Sequence, residues 1–336
     1  MSSPSDPIRS LLGDFDPKAP PARIEPVAEG VERPMWSVVI PTFNCAEMLR
    51  RTLESVLAQD PGPERMHIEV VDDCSTQDDP EAVVRELGGG RVRFTRNAAN
   101  TGCCTINFNH CLRHSIGRWV HVLHGDDWVL PGFYRHMEEL IERHPGVALV
   151  AARSVFVDEA GCWEHLGPPV RSLSEPGTDS SAFDFGTPLQ FAGVVVRRCF
   201  YEEYGGFRED LVHTADWEMW ERAVSTGGGI VSDEVFGAYR VFAGNDSGRL
   251  MRTGGNLLDR LRLIEVIAAR RPAFPKARAL KRLVRVGQDQ EARFRRLGDA
   301  EAAEANRRIW RQLGGFPAQV DAALRRLKHR LVAAGR

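Results

Sequence analysis

The chain predicts an α/β fold, a mainly parallel central sheet flanked by helices, with an α-helical C-terminal extension. Three observations carry this. From Trp36 onward, apolar runs of four or five residues alternate with stretches of helical periodicity. Two of those runs lead into adjacent carboxylates, Asp72-Asp73 and Asp126-Asp127. Beyond Arg249 the pattern is helical, broken near Pro272, Pro275 and Gly314-Gly315.

The elements follow in order. Residues 1–35 carry Pro4, Pro7, Pro17, Pro20, Pro21, Pro26 and Pro34, which interrupt helices and leave little apolar surface to bury, so an extended arm is expected, with a short helix near Ile8 to Leu12. Ser37 to Ile40 reads as a strand, and Ala46 to Gln59 as a helix with Leu49, Leu53, Val56 and Leu57 on one face. A strand from Ile68 to Val71, a helix from Pro80 to Leu87 closed by Gly88, and a strand from Val92 to Thr95 come next. Thr105 to His114 reads as a helix, Trp119 to Leu123 as a strand, Gly132 to Arg143 as a helix and Val147 to Phe156 as a strand. Residues 158–188, rich in Gly, Pro and Ser, read as a long loop, of the kind that is often functional. A strand (Gly193 to Arg197), a short helix (Cys199 to Tyr204), a firm helix (Asp216 to Ser225) and a strand (Phe236 to Val241) complete a domain over 36–248, before an extension over 249–336.

At 336 residues, with 43% hydrophobic and 27% charged, the chain can bury a sizeable core. Its formal net charge of −2 hides an asymmetry: Arg249 to Arg336 holds 22 basic and 8 acidic residues, +14 by count, which leaves −16 for the rest. Seven cysteines without regular spacing describe neither a disulfide framework nor a zinc ribbon, and point to a reducing compartment. No apolar stretch reaches the roughly 18 residues that span a bilayer, and the N-terminus lacks a signal-peptide pattern, so the expected location is cytoplasmic, soluble or peripheral at the inner face of the membrane.

Ligands of open parallel sheets bind beyond the carboxyl ends of the strands. Three groups fall there together: Pro41-Thr42-Phe43-Asn44, Asp72-Asp73 and Asp126-Asp127. A carboxylate pair suits a hard divalent cation, an aromatic ring suits a base, and a further carboxylate can accept a base N–H. Such a set is suited to a nucleoside diphosphate.

The runs VVIPTFN, EVVDDCS, HGDDWVLPGF and HTADWEMW, in this order and spacing, resemble the family 2 glycosyltransferases, inverting enzymes of the GT-A fold; the resemblance covers about Trp36 to Arg240. It implies transfer of a sugar from a nucleoside diphosphate sugar, a uridine diphosphate sugar foremost, to an acceptor glycan, lipid-linked sugar or protein in polysaccharide or glycoconjugate biosynthesis. By the same resemblance Phe43, beside Pro41, lies on the base, Asp73 binds the base N–H with Asp72 beside it, Asp126 lies near the ribose, Asp127 ligates Mg²⁺ or Mn²⁺, and Asp216 is the general base. A carboxylate at a helix start is a suitable acceptor for the proton of an attacking hydroxyl. The chain also departs from the family: His124 replaces a first aspartate, Asn107 lies near a common arginine, leaving phosphate contacts to Arg96 or elsewhere, and Phe242 replaces a histidine.

Plainer readings compete. The Asp72-Asp73 pair could cap a turn, and Asp216 could complement a helix dipole. Trp128, His213 and Trp217 are candidates for the acceptor pocket, although Trp217 and Trp220 have the spacing of core residues. Glu218 is the alternative base. The basic helices, among them Arg278 to Arg285 and Leu324 to Leu331, could lie on an anionic membrane or pack on the acidic body. Nucleic acid is disfavoured because no aromatic platform accompanies the charge. Two other functions compete with transfer: an inactive sugar-binding scaffold of the same fold, kept in play by His124 and Phe242, and a nucleotidyltransferase, disfavoured because a glycine-rich basic loop is missing after the first strand.

Overall fold

A computed structural model describes residues 7–242 and 246–314. The described chain forms two compact units, residues 20–242, and residues 7–19 with 246–314.

In the larger unit, β1 (Trp36–Thr42) and β2 (Met66–Asp72) are buried along their whole length, as expected of strands covered on both faces. With β3 (Arg93–Arg96) and β4 (Trp119–Val122) they form a parallel half-sheet in the order β3-β2-β1-β4. The register pairs Thr42 with Asp72 and Asp72 with Arg96, which sets the acidic end of β2 beside the loop after β1. Helix α2 (Ala46–Leu57) buries Leu49, Leu53 and Val56 of the stripe read from its periodicity and leaves Leu57 half-buried. Helix α3 (Pro80–Gly88) starts where the Asp79 side chain accepts from the Ala82 N–H, and stops at Gly89 in a left-handed conformation.

The second half of the sheet is mixed. Helix α4 (Cys104–His114) precedes β4; β5 (Trp128–Val129), α5 (Phe133–Arg143), β6 (Leu149–Val157), β7 (Trp163–Leu166), β8 (Val194–Arg197), α6 (Arg198–Tyr204), α7 (Ala215–Gly227) and β9 (Gly229–Arg240) follow. Strand β8 bridges β4 and β6 in antiparallel fashion, β9 runs parallel to β6, and β5 and β7 add antiparallel pairs. Periodicity did not indicate β5, which has two residues, or β7, whose residues are all exposed and lie inside the expected loop. Strand β9 begins seven residues before the expected start, at Gly229 rather than Phe236, because Gly229 to Ser232 pair with Leu149 to Ala152 before the exposed Asp233-Glu234 that interrupts the apolar pattern.

The expected N-terminal arm divides between the units. Ile24 is buried, Ala22 exchanges backbone hydrogen bonds with the 206–207 turn, and the Arg198 guanidinium donates to the Glu25 carbonyl, so residues 20–35 run along the sheet unit. Helix α1 (Pro7–Leu12) belongs to the smaller unit with α8 (Asp246–Thr253), α9 (Gly255–Arg270), α10 (Lys276–Arg296) and a helical stretch ending at 314. There the buried Trp310 indole donates to Glu291 at 2.8 Å, and Arg295 neutralises that carboxylate at 3.0 Å. Arg278, Lys281, Arg282 and Arg285 are exposed along α10; the second basic run, Leu324 to Leu331, and Gly315 lie outside the described residues. No described helix is long and apolar enough to cross a membrane.

Behind the strand ends lies a polar network inside the core. Ser37 Oγ accepts the Ile116 and Gly117 N–H groups at 3.0 and 2.8 Å and lies 3.1 Å from His67 Nδ1. The hydrogen count assigns the serine proton to Nδ1 and leaves His67 Nε2–H to donate to Glu69 at 3.1 Å. Glu69 also accepts from Thr95 at 2.7 Å and His114 at 2.9 Å. Burial pushes the Glu69 carboxyl upward, but the hydrogen bonds from His114, His67 and Thr95 outweigh it and hold the group well below its ordinary range. The bond to Glu69 raises His114 above its ordinary value of 6.5, against a smaller opposing effect of burial.

A signed pH dependence follows. The depressed Glu69 contributes stability that is present above its ordinary value of 4.5 and lost as pH falls toward the folded value; the raised His114 contributes stability that is present below 6.5 and lost as pH rises through its folded value. Denaturant unfolding of the wild type and of His114→Gln should therefore show a larger stability gap near about pH 5.5 than near about pH 8.5. An equal gap at both would contradict the pairing.

Candidate active site

The segment after β4 turns sharply beneath the loop after β1, and Gly125 makes the turn possible. A Cβ at Gly125 would lie 2.6 Å from Thr42 Cγ2, 3.0 Å from Cys45 Sγ and 3.3 Å from the Pro41 carbonyl. The Gly125 N–H donates to that carbonyl at 3.2 Å. From α2, the buried Thr52 hydroxyl lies 2.6 Å from the Asp127 carbonyl and 3.1 Å from that of Gly125. From β9, the Arg240 N–H donates to Asp127 Oδ1 at 2.9 Å, and its guanidinium donates to the Asp126 carbonyl at 3.0 Å and the Glu159 carbonyl at 2.7 Å.

This bracing holds His124, Asp126 and Asp127 so that one potential ligand atom from each lies within 4.8 Å of the others. Asp127 is 1% exposed, and its Oδ2 has no hydrogen-bond partner. Burial first, and the charge of Asp126 second, push the Asp127 carboxyl well above the ordinary carboxylate range; the Arg240 N–H and charge oppose this without prevailing. A buried carboxylate oxygen without a donor, beside a second carboxylate and an imidazole, fits a divalent cation. Burial, then the charge of Asp126, pushes the Cys45 thiol up to about 12, which disfavours its thiolate.

Phe43 is 47% exposed at the strand ends, as a base-stacking ring requires, and Pro41 lies buried two residues before it. The next residue, Asn44, adopts φ 50°, and its carboxamide accepts the Thr76 and Gln77 N–H groups, tying this loop to the one after β2. Both acids of that second loop are buried. Asp72 accepts from Ser75 and from Arg96 Nε at 2.8 Å. Asp73 accepts from Asn97 at 2.8 Å, from the Thr101 N–H and hydroxyl at 3.0 and 2.7 Å, and from Asn100 at 3.2 Å. A carboxylate offers about four acceptor positions, so a base N–H reaching Asp73 has to displace one of these donors. Asn107, where the family often has arginine, is buried against the Val71 carbonyl.

On the opposite side, Asp216 stands half-buried in the first turn of α7, where its carboxylate accepts the Trp217 N–H at 2.7 Å. Trp220 of the same helix packs on Phe191, and Phe191 on His124, with centroids 5.2 and 4.2 Å apart. Glu218, the alternative base, is buried and held by Arg222 Nε and Nη2 at 3.0 and 3.1 Å, which removes it from that role.

Two candidate acceptor rings are corrected. Trp128 is 3% exposed, with the Arg51 and Arg240 guanidiniums 3.6 and 5.1 Å from its ring centroid. Trp217 is 5% exposed, and its indole donates to the Phe183 carbonyl at 2.6 Å. Both rings serve packing, as helical spacing had suggested for Trp217. His213 is half-buried just before α7. Sequence reasoning missed Thr52 and Arg240, which fix the backbone around Asp127. A hydroxyl in the middle of an apolar helical face was the available signal for Thr52; for Arg240 it was a cation at the close of a strand.

Gly125→Ala should destabilise the protein by about 1–3 kcal/mol through overpacking, read as a lowered denaturant midpoint. A midpoint equal to that of the wild type would contradict the close approach to Thr42 and Cys45.

Comparison with known proteins adds to this geometry. The model of the family described as "Glycosyl transferase family 2" matches residues 37–204. Protein MT1568 of Mycobacterium tuberculosis is 30% identical over 244 residues, covering 69% of this chain and 75% of its own length. EpsE of Bacillus subtilis is 25% identical over 199 residues, covering 58% of this chain and 68% of its own. Among solved structures, the mannosyltransferase PcManGT of Pyrobaculum calidifontis, in complex with GDP-Man and Mn²⁺, superimposes with a TM-score of 0.56 at 18% identity, over 97% of this chain and 86% of its own. A fragment of S. aureus TarS in complex with UDP-GlcNAc gives 0.52 at 17% identity, over 82% and 91%. These likenesses establish a GT-A fold. Since the family model takes in half of the 336 residues, from β1 through both acidic strand ends to α6, the chain belongs to glycosyl transferase family 2.

Proposed function

We propose that this glycosyltransferase takes its sugar from a uridine diphosphate sugar and delivers it to an acceptor hydroxyl with inversion at the anomeric carbon. The observation that carries the reading is the buried, unpartnered Asp127 Oδ2 within the His124, Asp126 and Asp127 cluster. The bound ligands of TarS and PcManGT, each a nucleoside diphosphate sugar and one with Mn²⁺, support the donor class.

The reading assigns the following roles. Phe43 offers its exposed face to the base, and Asp73 shapes the base pocket through its four donors in the 97–101 segment. Asp126, half-buried beside Asp127, is assigned to the ribose. A divalent ion, Mg²⁺ or Mn²⁺, held by Asp127 with Asp126 and His124, would neutralise the charge that grows on the departing diphosphate. Arg96 is bound to Asp72, so it offers the diphosphate only the guanidinium edge away from that carboxylate. Asp216 accepts the proton of the acceptor hydroxyl as its oxygen attacks the anomeric carbon and the bond from that carbon to the diphosphate breaks. One direct displacement inverts the configuration and needs no covalent sugar–enzyme intermediate.

Two substitutions separate these roles. Asp216→Asn should leave the Kd for uridine diphosphate within about twofold and lower kcat by about a hundredfold or more; transfer near the original rate would remove Asp216 as the base. Asp127→Ala should abolish the strengthening of nucleotide binding by Mn²⁺, a loss of at least about tenfold. Titration curves that respond to Mn²⁺ as in the wild type would move the cation elsewhere.

A further inference from the structure

We propose that the face of β7, β6 and β9 next to the catalytic loop is a subsite for a saccharide acceptor, with His165, Phe156 and Tyr239 as its stacking floor. The inference rests on the active centre assigned above and identifies the class of molecule that meets it. Phe156 is paired across the sheet with His165 on one side and Tyr239 on the other, so the three rings form one rung over three strands. His165 stacks on Phe156 at 4.3 Å with 15° between planes, and Tyr239 meets Phe156 edge-on at 5.3 Å. His165 is exposed, and the other two are half-buried.

Strand alternation fixes the side on which these rings stand. Val155, Val157, Ala238 and Trp128 form a buried apolar cluster on one face, which places Phe156 and Tyr239 on the other. One rung earlier on that second face, Ser154 and Gly237 are covered by the 191–193 turn; a Cβ on Gly237 would lie 2.9 Å from the Ala192 carbonyl carbon and the Gly193 nitrogen. Phe191 of that turn packs on His124. The residue after Tyr239 is Arg240, whose N–H holds Asp127. The aromatic rung is therefore the first part of this face that the turn leaves open, tied at both ends to the reaction centre.

Chemistry selects the occupant. Aromatic faces are electron-rich, and the C–H face of a pyranose carries partial positive charge, so a sugar ring stacks there while its hydroxyl rim stays in water. A half-exposed rung of three rings suits such an amphipathic ligand better than a purely apolar one. Phe43, on the loop after β1, already provides a separate aromatic face for the base.

The test uses the full chain on an array of short gluco-, galacto-, manno- and N-acetylglucosamine-configured oligosaccharides, with uridine diphosphate titrated in parallel. The native protein should capture at least one oligosaccharide, and His165→Ala and Phe156→Ala should each weaken that capture by about tenfold while leaving nucleotide affinity unchanged. Since His165 is exposed, its replacement tests the rung without disturbing the core. No capture by a native chain that binds the nucleotide overturns the subsite alone, and capture by both variants at native strength overturns it as well. Failure to bind the nucleotide contradicts the donor assignment instead.

Discussion

Two adjacent carboxylates at the end of a buried strand impose the constraint around which the larger unit is arranged. Burial first, and the neighbouring charge of Asp126 second, disfavour the charge of Asp127, and its upward shift records this cost. The loop containing them is nevertheless held from three directions, by Pro41 and Thr42 at the end of β1, by Thr52 of α2 and by Arg240 of β9. Most of those contacts reach the backbone. The carboxylate chemistry is thus left available while its position is fixed, which is how preorganised sites gain from a bound cation.

Another buried carboxylate of the larger unit makes a useful contrast. Glu69 is as deeply placed as Asp127, yet it gathers His67, Thr95 and His114 and is shifted in the opposite direction. Burial alone therefore does not mark a site; what distinguishes Asp127 is the oxygen without a donor. Asp72 and Asp73 resemble Glu69 in their hydrogen bonding, since their oxygens are occupied by Ser75, Arg96 and the 97–101 segment. In the proposed reading their part is to shape the base pocket, with Phe43 as its open face.

Much of this could be read from the residues. Mostly apolar runs predict β1, β2 and β4, strands buried along their length, and the periodicity of α2 places three of its four stripe residues, Leu49, Leu53 and Val56, in the core. Placing both acidic pairs at one sheet edge needs only the rule that parallel strands end together. The rest depended on contacts distant in the chain. Strand β7 has no buried residue to create a pattern, β5 is two residues long, and in β9 the exposed Asp233-Glu234 breaks the apolar run between Gly229 and Phe236 that pairing with β6 holds together. Trp128 resembles a ligand ring by its neighbours, but Arg51 and Arg240 flank it, and neither position is predictable from Asp127. Likewise nothing local distinguishes Asp216 from Glu218; the ion pair to Arg222 does.

Crystals of the full chain grown with uridine diphosphate and Mn²⁺, with data collected at the manganese absorption edge, test the central claim most directly. One anomalous peak within coordination distance of Asp127 Oδ2 and of the diphosphate oxygens is the predicted result. A diphosphate bound with no manganese at Asp127, or manganese bound only by residues outside the His124, Asp126 and Asp127 cluster, would contradict it.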